Sequence, residues 1–461
     1  MLTETANGDS RRLFWLRVRE FAVPPSMIET ATVRRRAGDW AGACAAANVD
    51  VDLNLRSVAS VHGRDLAAVL KDDLRHLVPD LLRWHMPRIA PDGLLRPGLT
   101  IALARYGPQT SHGQHPVCLV ARTPPAWADA GQRISLAVWA GPRHEPGATG
   151  RRYPHPHPDR RFRLDLHRHL WDGRRSGELR IRSGADRPPA DTDIHDPSGM
   201  RVDDRRCAVD TWAAEAAILL RAEGRSAGAV EVRLGGRRRL VLDPVAGARG
   251  LGPVLAEAPA DAGGPALPVL PDAATWVPPD LELLRAGLIG VDRLHPCVAS
   301  ALAPDHVPAG TPGDDAGGPR VVRCRGATHR IGLVDGVLAA LDHDPVEVRR
   351  EELLAALGGT PLPCLVAIDD AHRRPDCLTG VRERLDHGDV TGALAVVEGL
   401  LGPEALLRDG PLRDELEAAA SRRVAYGLFR AGLVGPGPRR LPPKTPRPDG
   451  RRPHPRQAAF G

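Results

Sequence analysis

Two kinds of hydrophobic pattern alternate along residues 1–140. Alternating apolar positions in Phe14–Phe21 predict a β-strand. Apolar residues three and four apart predict helices at Ser26–Arg36, Trp40–Ala47 and Arg64–Trp84, the last interrupted at Pro79. Short apolar runs predict strands at Leu99–Tyr106, Pro116–Arg122 and Arg133–Ala140. We therefore expect an N-terminal module, residues 1–140, that mixes helices with strands.

The same patterns predict helices and hairpins in the rest of the chain. Ala208–Glu223 is predicted to be a helix before a hairpin of Val230–Leu234 and Arg238–Leu242, turned at Gly235 and Gly236. A second hairpin, Arg320–Arg325 with His329–Asp335, precedes four predicted helices: Val346–Leu357, Leu378–Asp386, Thr391–Leu401 and Leu412–Ala431. Strands come in runs and helices follow in runs, which favours the α+β class over strict strand–helix alternation.

Four stretches dense in proline and glycine divide the chain: Gly141–Arg160, Ser183–Arg206, Pro244–Pro279 and Ala303–Arg320. We expect several modules between them that combine short antiparallel hairpins and sheets with helices. The modules are residues 1–140, 161–246 and 319–434, with a short helical segment at 267–302. The C-terminal module is expected to be mostly helical, and residues 435–461 to form a disordered tail rich in arginine and proline.

Two short segments repeat one pattern of glycine and aspartate. Ala37–Ala47 reads AGDWAGACAAA and His387–Val397 reads HGDVTGALAVV. The pattern predicts a helix that ends on a left-handed glycine, then a second helix capped by Asp39 or Asp389. Each copy locally resembles the helical hairpins of the tetratricopeptide repeat family, over about a dozen residues and without a tandem array. Two interpretations stay open: a generic helical corner, or a helical face that binds peptides.

The net positive charge lies in one place. The chain carries 63 basic and 57 acidic residues, a net charge of +6. Residues 435–461 contain seven basic residues and one acid, so this tail holds the whole surplus and residues 1–434 are formally neutral. Its eight prolines favour an extended, solvated chain. Nucleic acid, if bound at all, is expected to bind weakly, through the tail and on phosphates without base specificity.

The remaining composition indicates a soluble protein. All but two of its basic residues are arginine, as codon use in a GC-rich bacterial genome predicts. The seven cysteines include no CxxC pair, which argues against a disulfide framework or a zinc ribbon. The N-terminal segment shows no signal-peptide pattern, and no apolar run approaches the ~18–20 residues that span a bilayer. We expect a cytoplasmic location and no membrane partner.

The first candidate site is a histidine cluster within Tyr153–Trp171. On a strand, Asp165, His167 and His169 would share one face, which a metal ion could use. On a helix, Asp165 and His169 would face each other at positions i and i+4. The spacing matches no established metal motif such as HExxH. A metal site here is therefore the alternative to a solvated or interdomain polar strip.

The second candidate group lies in the C-terminal module and comprises polar and thiol side chains: Cys324, His329, Asp342, His343, Asp344, Asp369, Asp370 and His372. The run Pro363–Asp370, PCLVAIDD, is typical of a buried strand that ends in two carboxylates, which can hold a cation or act as a general base. The acidic pairs also suit turns and helix starts. Cys324 and His329 could form a nucleophile pair across the predicted hairpin, or flank an ordinary turn.

Several enzyme classes are disfavoured by their missing motifs. The chain has no GxxxxGK[ST] loop, no strand–GxGxxG–helix and no GxSxG elbow. We therefore expect a macromolecular-interaction or scaffold protein that binds protein partners, and we predict no cofactor. One alternative is a metal-assisted hydrolase or transferase that uses residues 165–169 or 324–372. The other is a nucleic-acid-associated protein that acts through its basic tail.

Removal of the tail is expected to leave the folded part unchanged. A chain truncated after Val434 should melt at the full-length temperature, because an extended charged segment buries no core surface. The truncation should also abolish any salt-sensitive binding to DNA or RNA. Thermal unfolding and a salt titration with a fluorescent oligonucleotide measure the two effects. A melting temperature several degrees lower, or an undiminished salt slope, would contradict this prediction.

Overall fold

A computed structural model describes residues 8–107, 116–141, 155, 157–187, 207–234, 238–244, 254–257, 267–306, 320–324, 326–334, 337–373, 378–401, 407 and 409–433. The predicted tail, residues 435–461, and the predicted turn at Gly235 and Gly236 lie outside these residues. Where the chain is described, its helices and small sheets give a mixed α+β class, which confirms the predicted class. None of the described helices is both long enough and apolar enough to cross a bilayer.

The helices within the described residues are α1 (Gly8–Phe21), α2 (Pro25–Arg36), α3 (Trp40–Ala46), α4 (Leu55–His62), α5 (Arg64–His76), α6 (Pro79–His85), α7 (Leu179–Arg182), α8 (Val209–Ala222), α9 (Asp272–Thr275), α10 (Pro279–Arg285), α11 (Pro296–Leu302), α12 (Pro345–Ala356), α13 (Pro363–Arg373), α14 (Leu378–His387), α15 (Val390–Leu401) and α16 (Pro411–Arg430). The strands are β1 (Val49–Val51), β2 (Arg88–Ile89), β3 (Leu94–Leu95), β4 (Thr100–Tyr106), β5 (Val117–Arg122), β6 (Ile134–Trp139), β7 (Val230–Arg233), β8 (Arg239–Asp243), β9 (Val254–Glu257), β10 (Arg320–Cys324), β11 (Ala327–Val334) and β12 (Val337–Ala340). Most predicted elements therefore form within a few residues of their expected bounds.

The described residues fall into two compact units. Unit 1 takes in those up to Trp127 and those from Arg133 to His306, and unit 2 takes in Ala128–Gln132 and those from Arg320 to Leu433. Unit 1 contains a four-stranded sheet of order β1–β6–β5–β4, in which only the β1–β6 pair is parallel. It also contains the antiparallel sheet β7–β8–β9 and the short hairpin β2–β3.

The largest core of unit 1 joins segments that are far apart in sequence. Val18 on α1, Trp171 and Val298 on α11 all belong to one buried apolar cluster. This cluster therefore draws side chains from residues 1–140, 161–246 and 267–302. A second cluster packs α8 against the β7–β8 hairpin, with Trp212 fully buried at its centre.

The predicted strand at Phe14–Phe21 is wrong, because these residues belong to helix α1. Val18 is buried, Phe14 packs partly buried four residues earlier, and buried Ala22 follows the end of the helix four residues later. That spacing is helical. Apolar and charged residues also alternate from Leu16 to Arg19, so the run is compatible with a strand as well, and burial against the rest of unit 1 favours the helix.

Two buried carboxylates connect the N-terminal helices to α10 and α11. Asp280 accepts a hydrogen bond from Arg19 Nη1 at 3.0 Å and another from Trp84 Nε1 at 2.8 Å. Asp80 Oδ2 lies 2.8 Å from His295 Nε2, and the backbone nitrogen of Cys297, at the start of α11, lies 3.1 Å from the other ring nitrogen of His295. Burial alone would lower the pKa of His295, but its interactions with Asp80 and, secondarily, with the Cys297 side chain outweigh burial and raise the pKa to about 9.

The Asp80–His295 pair predicts that unit 1 loses stability in alkali. The folded pKa of His295 lies above the unfolded value of about 6.5, so the pair stabilises fully below pH 6.5 and is lost as pH rises through about 9. The loss should be ~3 kcal/mol in the free energy of unfolding. All eight tryptophans lie between Trp15 and Trp276, so urea unfolding followed by tryptophan fluorescence reports on unit 1.

The matched variant is His295→Asn, because asparagine is favoured at the position before a helix and does not titrate. Its free energy of unfolding should be flat between pH 6.5 and 9, while the wild-type value falls. Equal slopes for the two proteins would contradict the assignment to His295.

The two glycine–aspartate corners form as predicted. Gly38 and Gly388 adopt φ angles of +77° and +86°, and each ends a helix in the left-handed region. The next aspartate caps the following helix: Asp39 Oδ1 accepts the N–H of Gly42 at 2.8 Å, and Asp389 Oδ1 that of Gly392 at 2.9 Å. A Cβ atom at Gly42 or Gly392 would collide with the carboxylate of the capping aspartate, which explains why both copies of the pattern have glycine at this position.

Loss of one cap should loosen one corner only. Asp389→Ala removes a cap worth ~1 kcal/mol, so amides of α14 and α15 that exchange by local opening should exchange ~5-fold faster. Asp39→Ala should have the same effect on α2 and α3. Hydrogen–deuterium exchange of the full chain measures both, and Asp389→Asn, which keeps the cap, is the control. Uniform acceleration across both corners would contradict a local role.

Unit 2 is built from a small antiparallel sheet of order β10–β11–β12 and from helices α12 to α16. One cluster in it is built from Leu338 and the helices α14, α15 and α16. The other lies between the sheet and α13, and its buried members are few: Cys324, Ala340, Leu362 and Cys364. The strand predicted at Pro363–Asp370 is wrong, because these residues begin helix α13; a short apolar run does not by itself distinguish a buried strand from a helix.

Candidate metal centre

Three elements of unit 2 bring cysteine and histidine side chains together. Cys324 is the last residue of β10, His343 follows β12 in the turn before α12, and Cys364 is the second residue of α13. Helix α13 lies against the sheet and carries Cys364 to Cys324. We call Cys324, His343 and Cys364 the Cys–His cluster.

The donor atoms of the Cys–His cluster lie close enough to share one ion. Each residue offers one sulfur or nitrogen atom, and these atoms all lie within 4.8 Å of one another. Cys364 Sγ lies 3.6 Å from His343 Nε2. A tetrahedral zinc ion with bonds of ~2.3 Å to sulfur and ~2.0–2.1 Å to nitrogen separates these two ligands by ~3.6 Å. Where the chain is described, no other group of three or more acidic, cysteine or histidine side chains has this proximity.

The two cysteines of the Cys–His cluster are buried, and its histidine is partly buried. Cys324 and Cys364 are 0% and 1% exposed, and the side chain of His343 is 6% exposed. Burial, and secondarily the neighbouring Cys324, raises the pKa of Cys364 to about 11. Cys364 is therefore a neutral thiol near pH 7 in this structure, and a metal ion would have to displace its proton.

An acidic side chain lies behind the histidine of the cluster. His343 Nδ1 is 3.9 Å from Glu347 Oε2, one turn along the chain, while Nε2 points to Cys364. Histidines that bind metals commonly present their second ring nitrogen to a carboxylate, which orients the ring. Glu347 thus lies on the side of His343 where an outer partner would be placed, at an ion-pair distance that is longer than a hydrogen bond.

The neighbouring candidates from the sequence have different partners. Asp342 is bound by Arg330, through both the backbone N–H and the guanidinium, and these hydrogen bonds lower the pKa of Asp342 to about 2. Asp344 accepts the N–H of Val346 and so caps α12, as the turn-and-helix interpretation predicts. The ring of His329 stacks on His343, with centroids 4.2 Å apart and planes 9° from parallel.

The predicted carboxylate pair does not end a strand. Asp369 and Asp370 both lie inside α13, with His372 two residues further in the same helix. Asp369 is half-buried and follows Cys364 by five positions, ~140° around the helix from it, so it faces away from the Cys–His cluster. The side chains of Asp370 and His372 lie outside the described part of the chain.

The candidates near residue 165 lie in unit 1, in turns and a short 3₁₀ helix rather than in a strand or an α-helix. Asp165 accepts two hydrogen bonds from Arg163, at 2.8 and 2.9 Å, and is paired with Arg105. His167 Nδ1 contacts the carbonyl of Arg163, and its Nε2 lies 3.3 Å from Glu215. His169 is buried, and burial holds its pKa well below the usual value. Asp165 and His167 thus have protein partners, and the metal hypothesis here stays a prediction.

Sequence reasoning selected Cys324 and His329 but did not assign Cys364 or combine it with His343. The three cluster residues have no motif spacing, since 19 and 21 positions separate them. The sequence feature that relates the three residues is their location in one predicted module, the one that also contains the second predicted hairpin. Comparison with known proteins adds no constraint: no family model, curated protein or solved structure matches this chain.

Proposed function

We propose that this chain is a zinc-binding interaction protein, in which one zinc ion at Cys324, His343 and Cys364 holds unit 2 in its folded form. The observation that carries the proposal is the convergence of two sulfur atoms and one imidazole nitrogen within 4.8 Å. Thiolate and imidazole ligands in tetrahedral arrangement favour zinc over the hard cations magnesium and calcium.

The small core beside the sheet supports a structural role for the metal. Among the described side chains, four buried residues, two of them the cysteines, and three partly buried ones form the apolar cluster between the sheet and α13. Cores of this size supply little stability, and a structural metal is one of the devices that compensate for it. A zinc ion would join β10, the turn before α12 and α13, so its binding free energy would add directly to the folding of unit 2.

A catalytic role for the same ion has less support. A metal-assisted hydrolase needs a coordination position that water and substrate can reach. Both cysteines of the cluster are almost completely buried, and His343 is partly buried, with a side chain that is 6% exposed. The carboxylate Asp369, which such a mechanism could use as a base, lies on another face of α13.

Exposed apolar side chains support the interaction part of the proposal. Val346, Leu353 and Leu357 are largely exposed, and their spacing of seven and four residues places them on one face along α12 and its C-terminal end. Exposed apolar faces of this kind are typical of protein-binding surfaces. Helix α12 begins two residues after His343, so a metal at the Cys–His cluster would anchor the start of this surface.

The purified full-length chain should contain about one zinc ion per molecule, measured by elemental analysis. Cys324→Ser, Cys364→Ser and His343→Gln should each lose most of it, because two ligands rarely retain zinc. Removal of zinc with a chelator should accelerate hydrogen exchange in residues 320–373 by more than tenfold. Tryptophan fluorescence should stay unchanged, because every tryptophan lies outside residues 320–373.

Two matched controls separate loss of ligands from general damage. Cys207→Ser removes a half-buried thiol of unit 1 and should keep the zinc. His167→Gln and His169→Gln should keep it as well, and loss of zinc in these variants alone would move the site to unit 1. If the ligand variants misfold, cobalt titration of the chelated wild-type chain decides, since thiolate-to-cobalt charge transfer appears only with sulfur ligands. No metal in either experiment, or a Cys324–Cys364 disulfide, would refute the proposal.

A further inference from the structure

We infer that His329 is the fourth ligand of this zinc ion, which makes the centre a closed site of two cysteines and two histidines; the inference rests on the proposed function. Structural zinc is almost always bound by four ligands in a tetrahedron, and the Cys–His cluster supplies three. The fourth must come from solvent or from a neighbouring side chain.

The strand register places His329 on the same side of the sheet as Cys324. His329 is paired with Val322 in the β10–β11 ladder, and Val322 lies two residues before Cys324. Residues two apart on a strand share a face, so Cys324 and His329 are diagonal neighbours. Diagonal neighbours in a sheet have Cα atoms ~7–8 Å apart, a distance that a cysteine and a histidine side chain can close around one ion.

The ring of His329 has a nitrogen that no other group satisfies. Its Nδ1 is buried and has no hydrogen-bond partner, although a buried ring nitrogen normally has one. The same ring lies face to face with His343, a member of the cluster. A short rotation of the His329 side chain would exchange this stacking contact for a bond from Nδ1 to the metal.

The other polar side chains around the cluster either have a different partner or lie on another side of His343. Both carboxylate oxygens of Asp342 are bound by Arg330. Glu347 lies near His343 Nδ1, on the side of that ring that faces away from the sulfur of Cys364. Among these described neighbours of the cluster, His329 is the one whose position, unsatisfied nitrogen and ligand chemistry all fit the fourth place.

A fourth protein ligand has a functional consequence. A zinc ion with two thiolates and two imidazoles has no open position for water or substrate, so the centre would be structural. The choice between an interaction protein and a metal-assisted hydrolase in unit 2 would then be decided by His329.

The experiment compares the full-length wild type with three variants, each loaded with zinc or cobalt, by X-ray absorption and by metal competition. The wild type should show two sulfur and two imidazole ligands. His329→Ala should keep both sulfurs, show one imidazole and one solvent oxygen, and bind zinc more than ~100-fold more weakly, beyond the ~10–100-fold typical of an outer partner. Free imidazole should restore the second imidazole signal in this variant.

Two further variants make the result specific to coordination. Glu347→Gln, the outer-partner control, should weaken binding but leave two sulfurs and two imidazoles. His329→Cys should bind zinc through three sulfurs and one imidazole, which a variant that merely disturbs packing would not do, and it keeps the test valid if His329→Ala misfolds.

The outcomes separate this inference from the proposed function. One imidazole in the wild type, or two in both the wild type and His329→Ala, would refute the role of His329 and leave zinc binding intact. A wild-type chain that binds no metal would refute both.

Discussion

The structure of unit 1 depends on two carboxylates placed in its interior. Asp280 on α10 is completely enclosed, with Arg19 of α1 and Trp84 of α6 as its partners. Burial raises the pKa of Asp280 and lowers that of Arg19. Removal of both charges from water therefore costs free energy that offsets their mutual attraction. Such a pair contributes little net stability over apolar residues, but loss of one partner leaves an uncompensated buried charge, which costs ~3–5 kcal/mol. The pair therefore selects one arrangement of α1, α6 and α10 and excludes others.

The same constraint explains why the segment at 267–302 packs with the N-terminal helices. Its helices are short, since α10 and α11 have seven residues each, and isolated helices of that length are unstable in water. Asp280 of α10 accepts hydrogen bonds from Arg19 of α1 and Trp84 of α6. His295, directly before α11, lies within hydrogen-bond distance of Asp80 of α6. Hydrogen bonds between residues more than 190 positions apart in sequence thus stabilise helices that are too short to be stable by local propensity alone.

In unit 2 the situation is different, because few of its described side chains are buried beside the sheet. Two of the buried side chains there are thiols, which are apolar enough for a core when protonated and are metal ligands when ionised. The proposed zinc ion would use this double character: it would neutralise the thiolates and replace missing core contacts with coordinate bonds. The helical corner at Asp389, by contrast, is stabilised locally and needs no metal.

Local patterns determined much of the fold. The α+β class, most helices and strands and both glycine–aspartate corners follow from spacing and capping, which act between residues at most a few positions apart. Tertiary structure decided the ambiguous runs: Phe14–Phe21 and Pro363–Asp370 fit two periods, and only burial against distant residues makes each a helix. It also decided the site. Cys324, His343 and Cys364 meet because β10, β11 and β12 pair in one sheet and α13 packs on it, and no local rule relates residues 19 and 21 positions apart.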